Sequence, residues 1–476
     1  MSRLGLIALI LAIGISPRIP LPIAIPGRDF DLRIEDLLIP VLGAYLCLKK
    51  GRPHLPRLVG AMALYMVPVA VASVIGIVRD TTTSSRALVF GLKEVEYFCL
   101  FLVVCNLTRR LRDVQVAANT VLLVGLANAL WSLWQLGTGT TGQLLNISPS
   151  MTGAFSYDTY RVSQSYGPGL IGELSPFSAG GLYMFVLLMA LARAWLTKSR
   201  KEQQVCHGLA LCATLCLVVT ESRVTIVGAV LGAGLLALLF GVRRLARPLA
   251  FGLLVAIGML YVTSNSEYQL SGRMSENGVQ SSASIRETAV WPIVLSSGPW
   301  LMVGFGKGAL NYARELPITE AHNQYLRVMA ESGICGLLCF LLLLVSTLRA
   351  SAKLATRGSF VITRAVGAAT LAGGVGLASA AIFQDAFTAV IPNELFWLLA
   401  GLTVAALRIE AQIAGGARQG EPATEHWLRG RYVGQKGRWP SPLSAVARDL
   451  AIVTSGLASP LRDECLSGGC DTFSKR

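Results

Sequence analysis

This sequence predicts an all-α bundle of about twelve membrane-spanning helices, and three observations predict it. The chain of 476 residues is 53% hydrophobic and only 14% charged, with a mean hydropathy of +0.57. A soluble domain carries about 25% charged residues, so this much apolar surface cannot be hidden in soluble cores. The apolar residues also gather in recurring runs of roughly 20, the length that crosses a hydrocarbon layer as a helix. Finally, the Lys and Arg residues fall in short clusters between alternate runs, the mark of loops on the cytoplasmic side.

The runs begin near Leu4, Asp36, Leu58, Ala87, Val114, Glu173, Val205, Val224, Leu249, Gly333, Ala365 and Glu394. The first has no A-x-A cleavage site and reads as a retained helix rather than a signal peptide. After the even-numbered runs come Lys49, Lys50, Arg52 and Arg57; Arg109, Arg110 and Arg112; Lys198, Arg200 and Lys201; Arg243, Arg244 and Arg247; and Arg349, Lys353, Arg357 and Arg364. The positive-inside rule therefore puts these loops and both termini in the cytoplasm. Two large loops fall outside, over about 137–172 and 264–319. Loops this long are functional or disordered. At the end of the second, residues 317–330 are expected to form a short helix, with Thr319 as its N-cap and Arg327 and Glu331 paired at i, i+4. The spanning domain covers 1–408, and residues 409–476 form a polar, loosely folded cytoplasmic tail.

The net charge of +15 does not indicate a nucleic-acid partner, because the basic residues are spread over topology-setting loops. The cysteines give no redox framework. Cys99, Cys105, Cys212, Cys216, Cys335 and Cys339 lie inside apolar runs and are expected to behave as small buried hydrophobes.

Four constellations carry chemistry. In Ala321-His322-Asn323-Gln324-Tyr325-Leu326, followed by Glu331-Ser332-Gly333, His322 is the one histidine that the expected topology puts clearly outside. A histidine can take a proton from a hydroxyl at neutral pH; it can equally cap a helix or pack beneath lipid headgroups. Glu221-Ser222-Arg223 makes a very short turn between two runs. Arg223 there marks either a functional site or a side chain snorkelling to the headgroups. Ile285-Arg286-Glu287 with Trp291, then Gly304-Phe305-Gly306-Lys307-Gly308, adds a second outward guanidinium and glycines that either let backbone N–H groups approach an anion or form no more than a flexible loop. Arg161 in the first large loop precedes Gly167-Pro168-Gly169. Asp29-Phe30-Asp31 has the D-x-D form of a metal-holding pair, but Arg28 and Arg33 balance it, and no metal is assigned. Lys93, Glu94 and Glu96 are expected to pair within one helical turn.

Taken together, an S-R between two mid-chain spans, an R-x4-W, a P-x4-G-x-G and an A-H-N-x-Y-L-x4-E-x-G resemble the O-antigen ligase and O-antigen polymerase superfamily of bacterial membrane glycosyltransferases. The resemblance is best from Thr220 to Leu344. It implies an inner-membrane enzyme with its active site on the periplasmic side. The donor would be a polyprenyl-diphosphate-linked glycan, the acceptor a glycan or lipid A core, and transfer would be inverting, without metal, cofactor or nucleic acid. It implies Arg223, Arg286 and His322 as the working residues, with Arg161, Lys307, Asn323 and Tyr325 as substrate contacts beside the surrounding lipids. Arg161 with Gly172 eleven positions on resembles a spacing of some polymerases, and ligase and polymerase both remain open. A transporter or flippase of lipid-linked glycans is the rival class. It would put its ionisable residues near mid-membrane, often in repeated halves, and the sequence has no internal repeat.

Overall fold

In the computed structural model, residues 2–15, 19–25, 28–48, 53–138, 170, 176–220, 222–241, 290–298, 300–310, 312–314, 316, 318 and 321–418 are described. The helices are α1 (Ser2–Ile15), α2 (Ile34–Leu48), α3 (Leu58–Val78), α4 (Ser84–Leu107), α5 (Leu111–Thr138), α6 (Pro176–Leu196), α7 (Arg200–Val219), α8 (Arg223–Phe240), α9 (Trp291–Leu295), α10 (Trp300–Val303), α11 (Gln324–Arg357), α12 (Val361–Ala380) and α13 (Val390–Arg418). Eleven of the twelve expected spans thus have a helix, and the run near Leu249 lies outside the described residues. Residues 419–476, most of the expected tail, lie outside them as well.

Among the described residues, eight helices are long and apolar enough to cross a membrane: α3, α5, α6, α7, α8, α11, α12 and α13. The others fall short for separate reasons. α1 and α2 have 14 and 15 residues, or about 21–23 Å at 1.5 Å per residue. α4 has 24 residues but carries Arg86, Lys93, Glu94 and Glu96. Between α1 and α2 the chain forms an antiparallel hairpin, β1 (Ile19–Ile25) with β2 (Arg28–Leu32), which is an addition to the all-helical expectation. Asp29 and Asp31 lie in β2, opposite Ala24 and Pro20.

Burial separates core helices from lipid-facing ones. α6 is at the centre, with Leu182, Tyr183, Met184, Phe185 and Leu188 at 0% exposure. α3 is peripheral and presents Leu64, Val67, Val71, Val74 and Val78, a stripe at helical spacing that suits lipid rather than water. α11 has a similar stripe of Cys335, Leu338, Leu342 and Val345. Cys335 is therefore exposed, against expectation, because it falls on the outward side of its helix. Cys105 and Cys216 are buried as expected, and these cysteines are all free.

The core helices meet at small residues. A Cβ on Gly228 of α8 would come 2.7 Å from Gly376 O of α12, and one on Gly232 would come 2.8 Å from Ala372 O. This is the small-xxx-small crossing that lets membrane helices approach backbone to backbone. It also fixes the antiparallel register: the Arg223 end of α8 lies beside the Ala381 end of α12, since both are five residues from the Gly228–Gly376 contact.

Candidate functional site

The A-H-N-x-Y-L stretch is a helix start rather than the middle of one. Asn323 is the N-cap of α11, its side-chain Oδ1 accepting from Tyr325 N–H and Leu326 N–H at 3.0 Å each. The expected cap, Thr319, lies outside the described residues, and the helix begins at Gln324 instead of near Pro317. Asn is among the strongest N-caps, because its short side chain reaches back to the free amides of the first turn. The short helix then stops. Gly333 has φ 71° and ψ 179°, so α11 has a one-site kink joining a short helix to a long span, at the place where the sequence predicts the start of its next span.

His322 precedes the cap, half-buried, with φ 50°. The left-handed region costs a non-glycine residue roughly 1–2 kcal/mol, and tertiary contacts on its C-terminal side hold it there. Asn323 N–H donates to Asp385 Oδ1 at 3.2 Å, and Gln324 N–H donates to Ala381 O at 2.8 Å. Gln324 Oε1 accepts from Phe387 N–H, and Tyr325 Oη donates to Ala378 O at 2.7 Å. The turn bearing His322 is thereby fastened to the C-terminus of α12 and the 381–387 connection. Tyr325, expected to touch substrate, uses its hydroxyl on this backbone anchor.

A chain of ion pairs runs beneath the turn. Arg327 meets Asp385 at 3.0 Å and Glu331 at 3.4 Å, so the i, i+4 pair expected from spacing is present. Glu331 is 3.2 Å from Lys307, and Lys307 is 2.8 Å from Glu94 of α4. Lys307 is only 3% exposed. Burial works against its charge, but Glu94, the Tyr65 hydroxyl and Glu331 outweigh that and push its pKa up. Lys307 is thus occupied by protein carboxylates. Glu94 does not pair with its neighbour Lys93, which instead meets Asp36 at 2.7 Å and Glu96 at 2.8 Å.

The glycine run is occupied too. Phe305 N–H donates to Ala330 O and Gly306 N–H to Glu331 O, while Lys307 N–H reaches Ser73 Oγ. These amides close the loop onto α11 and α3 rather than being left for an anion. From the α3–α4 turn, Thr81 Oγ1 donates to Phe305 O and Thr82 Oγ1 to Lys307 O, both at 2.7 Å. Gly304, Gly306 and Gly308 have φ of 92°, 92° and 74°, which is why glycine is needed here.

Arg223 opens α8, half-buried and without a carboxylate partner among the described residues. The α8–α12 register puts it at the end of α12 that anchors Gln324. The structure therefore brings Arg223 and the His322 turn to one end of the bundle. Arg286 and Arg161 lie outside the described residues. Asp385, Thr81 and Thr82 are supporting residues that sequence reasoning misses, and Glu94, expected to pair within its own turn, meets Lys307 instead. Each acts on a partner far away in the chain, which leaves no local sign in the sequence.

A polytopic helical membrane protein, with a histidine turn clamped over a buried ion-pair chain, is what the fold and this end of it define. Residues 208–341 match a family model described as O-antigen ligase, and this supports the O-antigen ligase and polymerase superfamily for the chain. The matched stretch holds Arg223, Arg286, Lys307, His322, Asn323 and Tyr325, and leaves out Arg161. It supports a ligase- or polymerase-type function in polysaccharide assembly. No curated protein matches the chain.

Proposed function

We propose that this protein transfers a polyprenyl-diphosphate-linked glycan to an acceptor hydroxyl at the periplasmic face of the bacterial inner membrane, as a ligase or polymerase of surface polysaccharide. The observation that carries the reading is the clamped turn. A strained His322, fastened by Asp385 and Ala381, lies at the end of the bundle where Arg223 opens α8. In the step, the acceptor oxygen attacks the anomeric carbon and gives its proton to His322. The bond from that carbon to the diphosphate oxygen breaks, the diphosphate leaves with the electron pair, and the anomeric configuration inverts. A diphosphate is a good leaving group, so a grip on its charge matters more than a general acid. Guanidiniums are always protonated and fork-shaped, which suits Arg223 and Arg286 to that grip without a metal. Arg161, Asn323 and Tyr325 would shape the substrate path, and Lys307 would order the loop from beneath.

The test is transfer from a polyprenyl-diphosphate glycan in vesicles, normalised to inserted protein. Arg223→Lys and Arg286→Lys should each lower the rate by roughly 10²–10³, the worth of one charge-assisted contact in a transition state. His322→Gln keeps hydrogen bonding but cannot take the proton, so its rate should fall by about 10²–10⁴. Near-normal turnover by His322→Gln rules out the base. If all three variants are silent, the transferase reading fails in favour of transport.

A further inference from the structure

A second cluster of charges lies between α2, α4 and α13, next to the site through the adjacent residues Lys93 and Glu94. Lys93 Nζ is 2.7 Å from Asp36 Oδ1, 2.8 Å from Glu96 Oε2 and 3.8 Å from Glu394 Oε1. One oxygen from each of the three carboxylates lies within 4.8 Å of the others. Two more charges face them, Arg33 and Glu35, which meet each other at 3.5 Å. The Tyr97 ring lies 5.6 Å from the ammonium.

Charge counting shows an imbalance. Among the described side chains, Arg33 is paired with Glu35 and Lys93 offsets one of the three carboxylates, so full ionisation would leave two carboxylates with no cation of their own inside the bundle. Burying uncompensated charge costs many kcal/mol, and a carboxyl group so placed takes up a proton instead. The hydrogen bonds say which groups do so. Asp36 is provided for as an anion, with Lys93 on Oδ1 and Arg33 N–H on Oδ2 at 2.8 Å. Glu394 is not: it is 0% exposed, and neither of its oxygens accepts a hydrogen bond among the described residues. Glu96 shares the ammonium that Asp36 already neutralises. A metal ion is a poor fit, because the Lys93 ammonium occupies the point where the carboxylates converge.

We propose that Glu96 and Glu394, grouped with Asp36 around Lys93, form a proton-binding site that holds two protons in the folded protein. The reading does not depend on the transferase proposal. Its signature is linkage. Unfolded glutamate releases its proton above about pH 4.3, while the folded site keeps two. Stability therefore falls as pH rises above that value, by about tenfold in the unfolding constant per pH unit for each retained proton, until the folded site itself lets go.

The experiment follows unfolding of the full-length protein in lipid nanodiscs between about pH 5 and pH 9. Relative to wild type, Glu394→Gln and Glu96→Gln should each reduce the pH slope by about tenfold per unit, and the double variant by about a hundredfold. An unchanged slope in the double variant overturns the proposal. So does a Glu394→Gln variant weakened equally at every pH, which would mark an ionised Glu394. So does Mg²⁺, Mn²⁺ or Ca²⁺ that stabilises wild type but not Glu394→Gln, which would mark a metal site. Should the variants not fold, infrared spectroscopy of the wild type decides. A protonated-carboxyl C=O band is expected in the folded protein at neutral pH, and its absence ends the idea.

Discussion

The conformation of His322 is set by its neighbours, and this makes the role of Asn323 separable from chemistry. As the N-cap of α11, Asn323 needs only a short acceptor. Asn323→Ser should therefore keep most of the transfer rate, whereas Asn323→Ala should cost about 1 kcal/mol of stability and loosen the turn. Thermal unfolding and vesicle assays, run side by side, check both. A Ser variant as inactive as Ala would mean that the amide meets substrate after all. At this scale the sequence was legible where partners are local. Arg327 and Glu331, four apart, could be paired on spacing alone. Asp385 could not, because its partners Asn323 and Arg327 lie 62 and 58 residues away. Lys307 was misleading for the same reason. A cation in a glycine run invites an anionic ligand until Glu94, 213 residues distant, occupies it.

Between elements, glycine does the fastening. Gly304 lies against the kink of α11, where an added Cβ would come 2.6 Å from Gly333 N, and a Cβ on Gly76 of α3 would come 2.2 Å from Phe305 O. Backbone meets backbone there, so nothing soft can yield. Gly304→Ala should destabilise by about 3 kcal/mol or more, from overpacking plus a left-handed φ. Gly91→Ala, on α4 with nothing within 4 Å, should instead gain up to about 1 kcal/mol of helix propensity. Unfolding in lipid nanodiscs measures the pair, and equal effects would refute the clasp. Helices at eleven of the expected runs and the start of a span near Gly333 were legible, since apolar length is a local signal. The role of the Gly304–Gly308 run was not, because an anion cradle, a flexible loop and amides closed on a distant helix look alike in sequence. The β1–β2 hairpin was also illegible, its strands being short and β1 interrupted by Pro20 and Pro22.

For the whole molecule, the apolar runs predict twelve spans and the alternating charge clusters predict one orientation for them. A reporter active only outside the cytoplasm should be active when fused near Thr152 and silent after Arg200 or Arg418. Activity after Arg418 would invert the topology and move the His322 turn to the other side. What the clusters did not reveal is which helices touch lipid, since the central α6 and the peripheral α3 are both apolar throughout. α4 is different, and its composition bears on how the protein is made. Each charge at mid-helix costs about 2.5–3.5 kcal/mol on insertion scales, and α4 carries three there, Lys93, Glu94 and Glu96. Its neutralising partners are Asp36, made earlier, and Lys307, made more than 200 residues later. During synthesis α4 must therefore wait, shielded by the insertion machinery, until the second half of the chain arrives to neutralise it. The ion pairs that order the finished site make its assembly a late, collective event.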